Sequence, residues 1–212
     1  MISLKNLQRL PEWTVLQKSC KAMSVLDAIL SQDWIYRYSS YNSDWSEDEE
    51  FFEMRNGEGD QLLILFTTAG TVINGYLSEA DQEEKEKLTA GLPEVYHEFI
   101  FGEPVNSTGT TFCIWTTADG NWTTGHLPAG EDKSDELLSL LDGKPETYIT
   151  WATDYFKGSY KESGIPGDTV SRIFNGETLT QDMVFSIIDT LEDAEQLKED
   201  LIEISYPYHI IE

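Results

Sequence analysis

Three kinds of side chain in this 212-residue sequence could carry polar chemistry: two cysteines, three histidines and 39 carboxylates. A catalytic thiol needs a neighbouring base to make thiolate, and His97 or His126 could serve Cys113 in that way. Cys113 stands in Phe112-Cys113-Ile114-Trp115, however, an apolar run of strand type. That setting predicts a buried, inert cysteine. His97, His126 and His209 are far apart and show neither HExxH nor HxH spacing, so no transition-metal site is expected. Cys20 and Cys113 form no CxxC pair and no disulfide framework.

The carboxylates are too numerous to point anywhere by themselves. An acid/base enzyme needs two of them about 5–10 Å apart in a cleft, and with 39 some pair meets that condition by chance. They are densest in Asp44-Trp45-Ser46-Glu47-Asp48-Glu49-Glu50. That run offers oxygen ligands for calcium but lacks the alternating D-x-[DN]-x-[DN]-G order with a trailing Glu, so a solvated acidic loop is expected. Gly57 and Gly59 with Asp60 superficially suggest a phosphate loop, yet neither GxxxxGK[ST] nor GxGxxG is present and the nearby acids would repel phosphate. No GxSxG elbow occurs either. The sequence therefore assigns no catalytic residue, no metal and no cofactor.

Charge is more informative. Lys plus Arg number 14 against 39 Asp plus Glu, a formal net charge of −25. A surface this negative repels nucleic acid and anionic lipid, and it attracts cationic partners in a salt-dependent way. The plainer reading is that acidity serves solubility. With 40% hydrophobic and 12% aromatic residues the chain can nevertheless build a core, so it is not a disordered acidic tail. The first ten residues lack the apolar stretch of a secretory signal, and the longest aliphatic and aromatic run, Leu62 to Phe66, is far too short to span a membrane. These features and the free thiols predict a cytoplasmic protein without a membrane partner.

The elements that must position these residues follow from periodicity. Leu16, Cys20, Met23, Leu26 and Leu30 recur at helical spacing and predict a helix over 12–31. Trp34, Tyr36 and Tyr38 alternate as on a strand over 33–41. After the acidic loop, strands are expected at 51–55, 62–67 and 71–77, joined by turns at Asn56-Gly57 and Ala69-Gly70. The unbroken apolar run Leu62–Phe66 implies burial on both faces. Ser78-Glu79-Ala80-Asp81 looks like a capping box opening a helix toward Leu88, and Pro93 to Phe101 a second short helix. A strand at 110–116 and a hairpin through Asp119-Gly120 to Trp122 complete a sheet of about six strands. Helices are then expected at 133–142, 145–156, 168–174, 181–189 and 191–200, with Ile202 to Ile211 as a last edge strand. The expectation is one α+β domain over 1–212: an N-terminal helix and mainly antiparallel sheet over 1–130, then a helical layer over 131–212.

The strings Asp33-Trp34-Ile35-Tyr36-Arg37-Tyr38, Glu53-Met54-Arg55-Asn56-Gly57-Glu58-Gly59-Asp60, Ala69-Gly70 with Ile73-Asn74-Gly75-Tyr76, and Thr111-Phe112-Cys113-Ile114-Trp115 resemble, in order and spacing over roughly residues 20–205, a group of uncharacterised bacterial cytoplasmic proteins. The resemblance implies a bacterial source and carries no activity with it. The acidity is similar to that of immunity proteins, which block toxins, and this second similarity is one of composition.

Two functional expectations result. The first is a non-enzymatic binding protein for a basic protein partner, of the toxin-inhibitor type among others. Its contact residues would be Tyr41, Asp44, Trp45, Glu47, Asp48, Glu49 and Glu50, where aromatic anchors stand among carboxylates. The second is an enzyme or small-ligand protein with a pocket between sheet and helices, lined by Arg55, Asp60, Asn74, Trp115 and His126 at strand ends and turns. Oligomeric state has no signature in the sequence.

Overall fold

The apolar stripe that begins at Leu16 forms helix α1, Trp13–Leu30, in a computed structural model that describes residues 1–127 and 130–210. Four strands follow: β1 Ser39–Ser46, β2 Glu49–Arg55, β3 Gln61–Thr67 and β4 Gly70–Tyr76. Short helices α2 Lys85–Leu88, α3 His97–Phe101 and α4 Val105–Thr108 come next. Strands β5 Phe112–Thr116 and β6 Trp122–Thr124 then complete one six-stranded sheet in the order β1-β2-β3-β4-β5-β6, antiparallel throughout. The remainder is mostly helical: α5 Asp135–Leu138, α6 Pro145–Tyr155, α7 Gly167–Phe174, α8 Gln181–Ile187 and α9 Ala194–Ile204. The fold is α+β, a meander sheet with helices laid on it and a helical C-terminal third.

Register makes two cores from one sheet. Tyr41, Phe52, Ile64, Ile73 and Ile114 are successive cross-strand partners, and all five face the larger core beneath α1. Phe51, Leu65, Val72 and Trp115 form the next row and face the opposite side. There Leu92, Tyr96, Phe99, Ile100 and Val105 cover them from the α2–α4 segment. This explains why Leu62–Phe66 is unbroken in its hydrophobicity: β3 is central and buried on both faces. Successive side chains on a strand alternate faces, so a one-residue slip would exchange the two rows. Asn74, fully buried on β4, ties the covering segment down. Its amide donates to the Gly109 carbonyl (2.9 Å) and its Oδ1 accepts from the Thr110 hydroxyl (2.8 Å).

Four expectations are corrected. Residues 33–38 are not strand, and β1 starts only at Ser39: Trp34–Tyr36 is a 3₁₀ turn, because Asp33 caps it at the Ile35 N–H and Arg37 is drawn inward to the Asp200 carboxylate. Trp34 and Tyr36 are therefore exposed while Tyr38 is buried. The acidic run is not an open loop. Strand β1 continues to Ser46, Ser46 pairs with Glu49, and Glu47-Asp48 makes a tight turn with Asp48 at φ 62. The helix expected from Ser78 begins only at Lys85: the Ser78 hydroxyl and N–H both donate to Asp60 Oδ1 (2.8 and 2.7 Å), which ties Ser78 to the β2–β3 turn and takes the N–H that a capping box would bond. The tail is also placed differently: α9 runs to Ile204, and β8, Tyr208–His209, pairs parallel with β7, Leu179–Thr180, in a separate two-stranded sheet. Ile211, the end of the expected edge strand, lies outside the described residues.

Candidate functional site

The hairpin of β1 and β2 carries the acidic run out past the edge of the core. Asp44, Trp45, Ser46, Glu47 and Asp48 are exposed, and Glu49 and Glu50 are partly buried at the base. Beside it lies a cleft of about 460 Å³. Asp44, Glu47, Asp48, Glu49 and Glu50 line it, with Trp13 and Gln17 of α1 and Thr67-Thr68 of the β3–β4 turn on the far wall. Five of the seven residues expected to contact a partner line this cleft; Trp45 belongs to the same hairpin but stacks on Phe51, toward the α2–α4 face.

Tyr41 is not at the surface at all, and that expectation is corrected. It is buried beneath α1 and stacks against Phe66 (6.0 Å between ring centroids). Its hydroxyl donates to Glu50 Oε2 (2.7 Å), and Lys21 reaches the same carboxylate at 2.6 Å. Burial, followed by the Glu50 bond and charge, holds the Tyr41 phenol far above its ordinary range. Glu50 is consequently spent inside the protein, as the link between hairpin and α1.

The remaining acids are available. Among the described residues no ion pair involves Asp44, Glu47, Asp48 or Glu49. The Glu49 carboxyl is raised above its usual value by partial burial and then by the charge of Glu98 on α3, while a bond from Ser46 opposes the shift. Trp45 is 40% exposed and stacks on Phe51 at 4.4 Å, 27° from parallel. Phe51 is braced in turn edge-on by Phe99. An aromatic ring held on a rigid base can take a cation against its face, and unpaired carboxylates on the same hairpin can accept from Lys or Arg. Glu98, Trp13 and Lys21 could not be connected with the hairpin from sequence, since each belongs to another element and meets it only through the register.

The second expected set is not brought together. The Arg55 guanidinium lies 3.5 Å from the Trp34 ring centroid and 3.6 Å from Glu53, and donates to the Trp34 carbonyl. Asp60 closes the β2–β3 turn with Asn56 and holds Ser78. Asn74 and Trp115 are buried on the α2–α4 side, and His126 is exposed, its N–H bonded to the Lys87 carbonyl. None of the five lines the hairpin cleft, nor the clefts at 77–81 with 130–134 and at 31–33 with 188–192.

The groups with reactive potential are quenched by their surroundings. Cys20 and Cys113 are both free and buried, and burial pushes the Cys113 thiol up to about 12 against a small opposing pull from Lys85. Among the described residues no three His, Cys, Asp or Glu side chains are grouped to hold a metal ion, and no helix is long and apolar enough to cross a membrane. No family model, no curated protein and no solved structure matches the chain.

Proposed function

We propose that this chain is a non-enzymatic binding protein for a basic protein partner, with the β1–β2 hairpin as its contact. A toxin-inhibiting role is one function of this kind. The observation that carries the reading is the hairpin itself: Asp44, Glu47 and Asp48 exposed and without an ion pair among the described residues, on the same hairpin as the half-exposed ring of Trp45 seated on Phe51. The net charge of −25 acts in the same direction over longer range, accelerating encounter with a cation and disfavouring nucleic acid. Two free, buried thiols suit work in a reducing cytoplasm.

The experiment is affinity capture from a lysate of the source organism at low salt, with elution on a salt gradient, using the natural chain and an Asp44→Asn/Glu47→Gln/Asp48→Asn variant side by side. A stoichiometric basic protein that salt releases from the first and that the variant fails to retain is the expected result. Equal retention by both would remove the hairpin from the account.

A further inference from the structure

The 3₁₀ turn Trp34–Tyr36 presents three consecutive large apolar side chains to solvent, 52%, 67% and 68% exposed. Single exposed apolar residues are ordinary on protein surfaces, but a contiguous set marks an interaction site. This set is also ordered in advance. Asp33 Oδ1 accepts the Ile35 N–H (3.1 Å), and the Asp33 carbonyl accepts the Tyr36 N–H (3.2 Å). Arg37 anchors the turn from inside, donating to the Ser31 and Gln32 carbonyls and to Asp200. Arg55 holds it from above, stacked on the Trp34 ring and bonded to the Trp34 carbonyl. Two of the chain's 14 cationic residues are thus spent on fixing a turn whose side chains pack into no core. A contact surface organised before binding avoids the ordering cost that a loose loop pays on association.

The chemistry of the occupant is set by what adjoins the turn. A cleft of about 380 Å³ starts at Asp33 and continues between 158–160 and 188–192. Asp33, Asp189 and Glu192 line it, and among the described residues the one cation paired with any of them is Lys161, 3.8 Å from Asp189. Gln32 fixes the far wall by accepting the Glu192 and Asp193 N–H groups (2.6 and 2.8 Å). The apolar turn and the acidic cleft share residue 33, so a single extended segment can engage both.

We propose that Trp34, Ile35 and Tyr36, with the cleft at Asp33, Asp189 and Glu192, form a second docking surface for a segment of a protein partner that carries an apolar side chain next to Lys or Arg. The proposal rests on the reading of a basic partner given above but not on the hairpin. A second copy of this chain is disfavoured as occupant because it would bring another −25 charge against the same face.

The test uses the full chain and three short fluorescent peptides: one with Lys/Arg and Leu/Trp residues interspersed, one with Ser replacing its apolar residues, and one with Glu replacing its cations. Binding is read by anisotropy at low salt. Two variants report on the turn: Trp34→Ser/Ile35→Ser/Tyr36→Ser, and the single Ile35→Glu, which leaves the Arg55 stack in place. The Asp44→Asn/Glu47→Gln/Asp48→Asn variant reports on the hairpin. The expected result is that both turn variants weaken the first peptide by about tenfold or more and leave the Ser peptide unchanged, with the Glu peptide silent throughout. Undiminished binding of the first peptide by both turn variants overturns the proposal. If the hairpin variant alone loses binding, the hairpin reading stands and this one falls; loss in the turn variants alone gives the reverse. Sedimentation that shows the unmodified chain self-associating, and Ile35→Glu abolishing it, would assign the face to a second copy and equally overturn the proposal.

Discussion

Arg37 Nη2 donates to Asp200 Oδ2 at 2.7 Å in a site where the two side chains are 5% and 9% exposed, joining the start of β1 to α9 across 163 positions of sequence. Removing one partner leaves the other charge buried without compensation, which costs about 3–5 kcal/mol. Asp200→Ala and Arg37→Ala are each expected to lower unfolding free energy by that amount in urea. Arg37→Ala should in addition speed hydrogen exchange at Ile35 and Tyr36, whose turn it anchors. A loss under 1 kcal/mol for either variant would mean that the pair is not dry.

Asp27 makes stability depend on pH in an unusual direction. It is fully buried on α1 and accepts from the Tyr148 hydroxyl (2.6 Å) and from the Ser39 N–H and hydroxyl (2.7 Å each). Burial pushes its carboxyl up to about 6, with those three donors and Arg37 opposing. Since the folded value is raised, the folded state binds the proton more tightly than the unfolded one. This group's contribution is therefore full below about pH 4 and is lost as pH rises through 6, by about 3 kcal/mol. Subtracting the stability profile of Asp27→Asn from that of the natural chain should leave a curve that falls between pH 4 and 7. Parallel profiles would show that Asp27 titrates normally.

Gly75 and Gly57 should answer alanine differently. A Cβ on Gly75 would collide with Cζ and the two Cε atoms of the Phe112 ring, whose far end occupies that position. Gly75→Ala is expected to cost about 1–3 kcal/mol through overpacking. Gly57 meets nothing within 4 Å but sits at φ +75, so its alanine pays only backbone strain, about 1 kcal/mol. The two midpoints in urea decide, and a smaller loss at position 75 than at 57 would contradict the packing described.

Both thiols should be silent in the native protein. Cys20 and Cys113 are buried, and burial raises each thiol above its ordinary value. A thiol-reactive dye at neutral pH is expected to label neither until guanidinium unfolds the chain, and both thereafter. Rapid labelling of native Cys113 would reopen a reactive role for it.

The sheet was legible where pattern and turn chemistry agreed. Leu62–Phe66 announced a strand buried twice over, and Asn56-Gly57 and Asp119-Gly120 marked real turns between strands. Reading failed where a long-range partner overrode local pattern. Trp34, Tyr36 and Tyr38 alternate like a strand, yet Arg37 is captured by Asp200 far along the chain and the alternation never becomes a face. Ser78 has the form of a helix cap, but Asp60 takes its donors. In the candidate site the carboxylates of 44–50 were visible as composition. That Tyr41 and Glu50 turn inward was not, because it depends on Lys21 and on the register of β1 with β2.

The central claim is that the hairpin acids and Trp45 meet a cationic partner, and the association rate tests it most directly. The rate constant for the captured basic protein would be measured over a range of ionic strength, for the natural chain and for Asp44→Asn/Glu47→Gln/Asp48→Asn. The account predicts an on-rate about tenfold lower for the variant at low salt and a shallower dependence on ionic strength. Identical rates and identical salt dependence for the two proteins would contradict it.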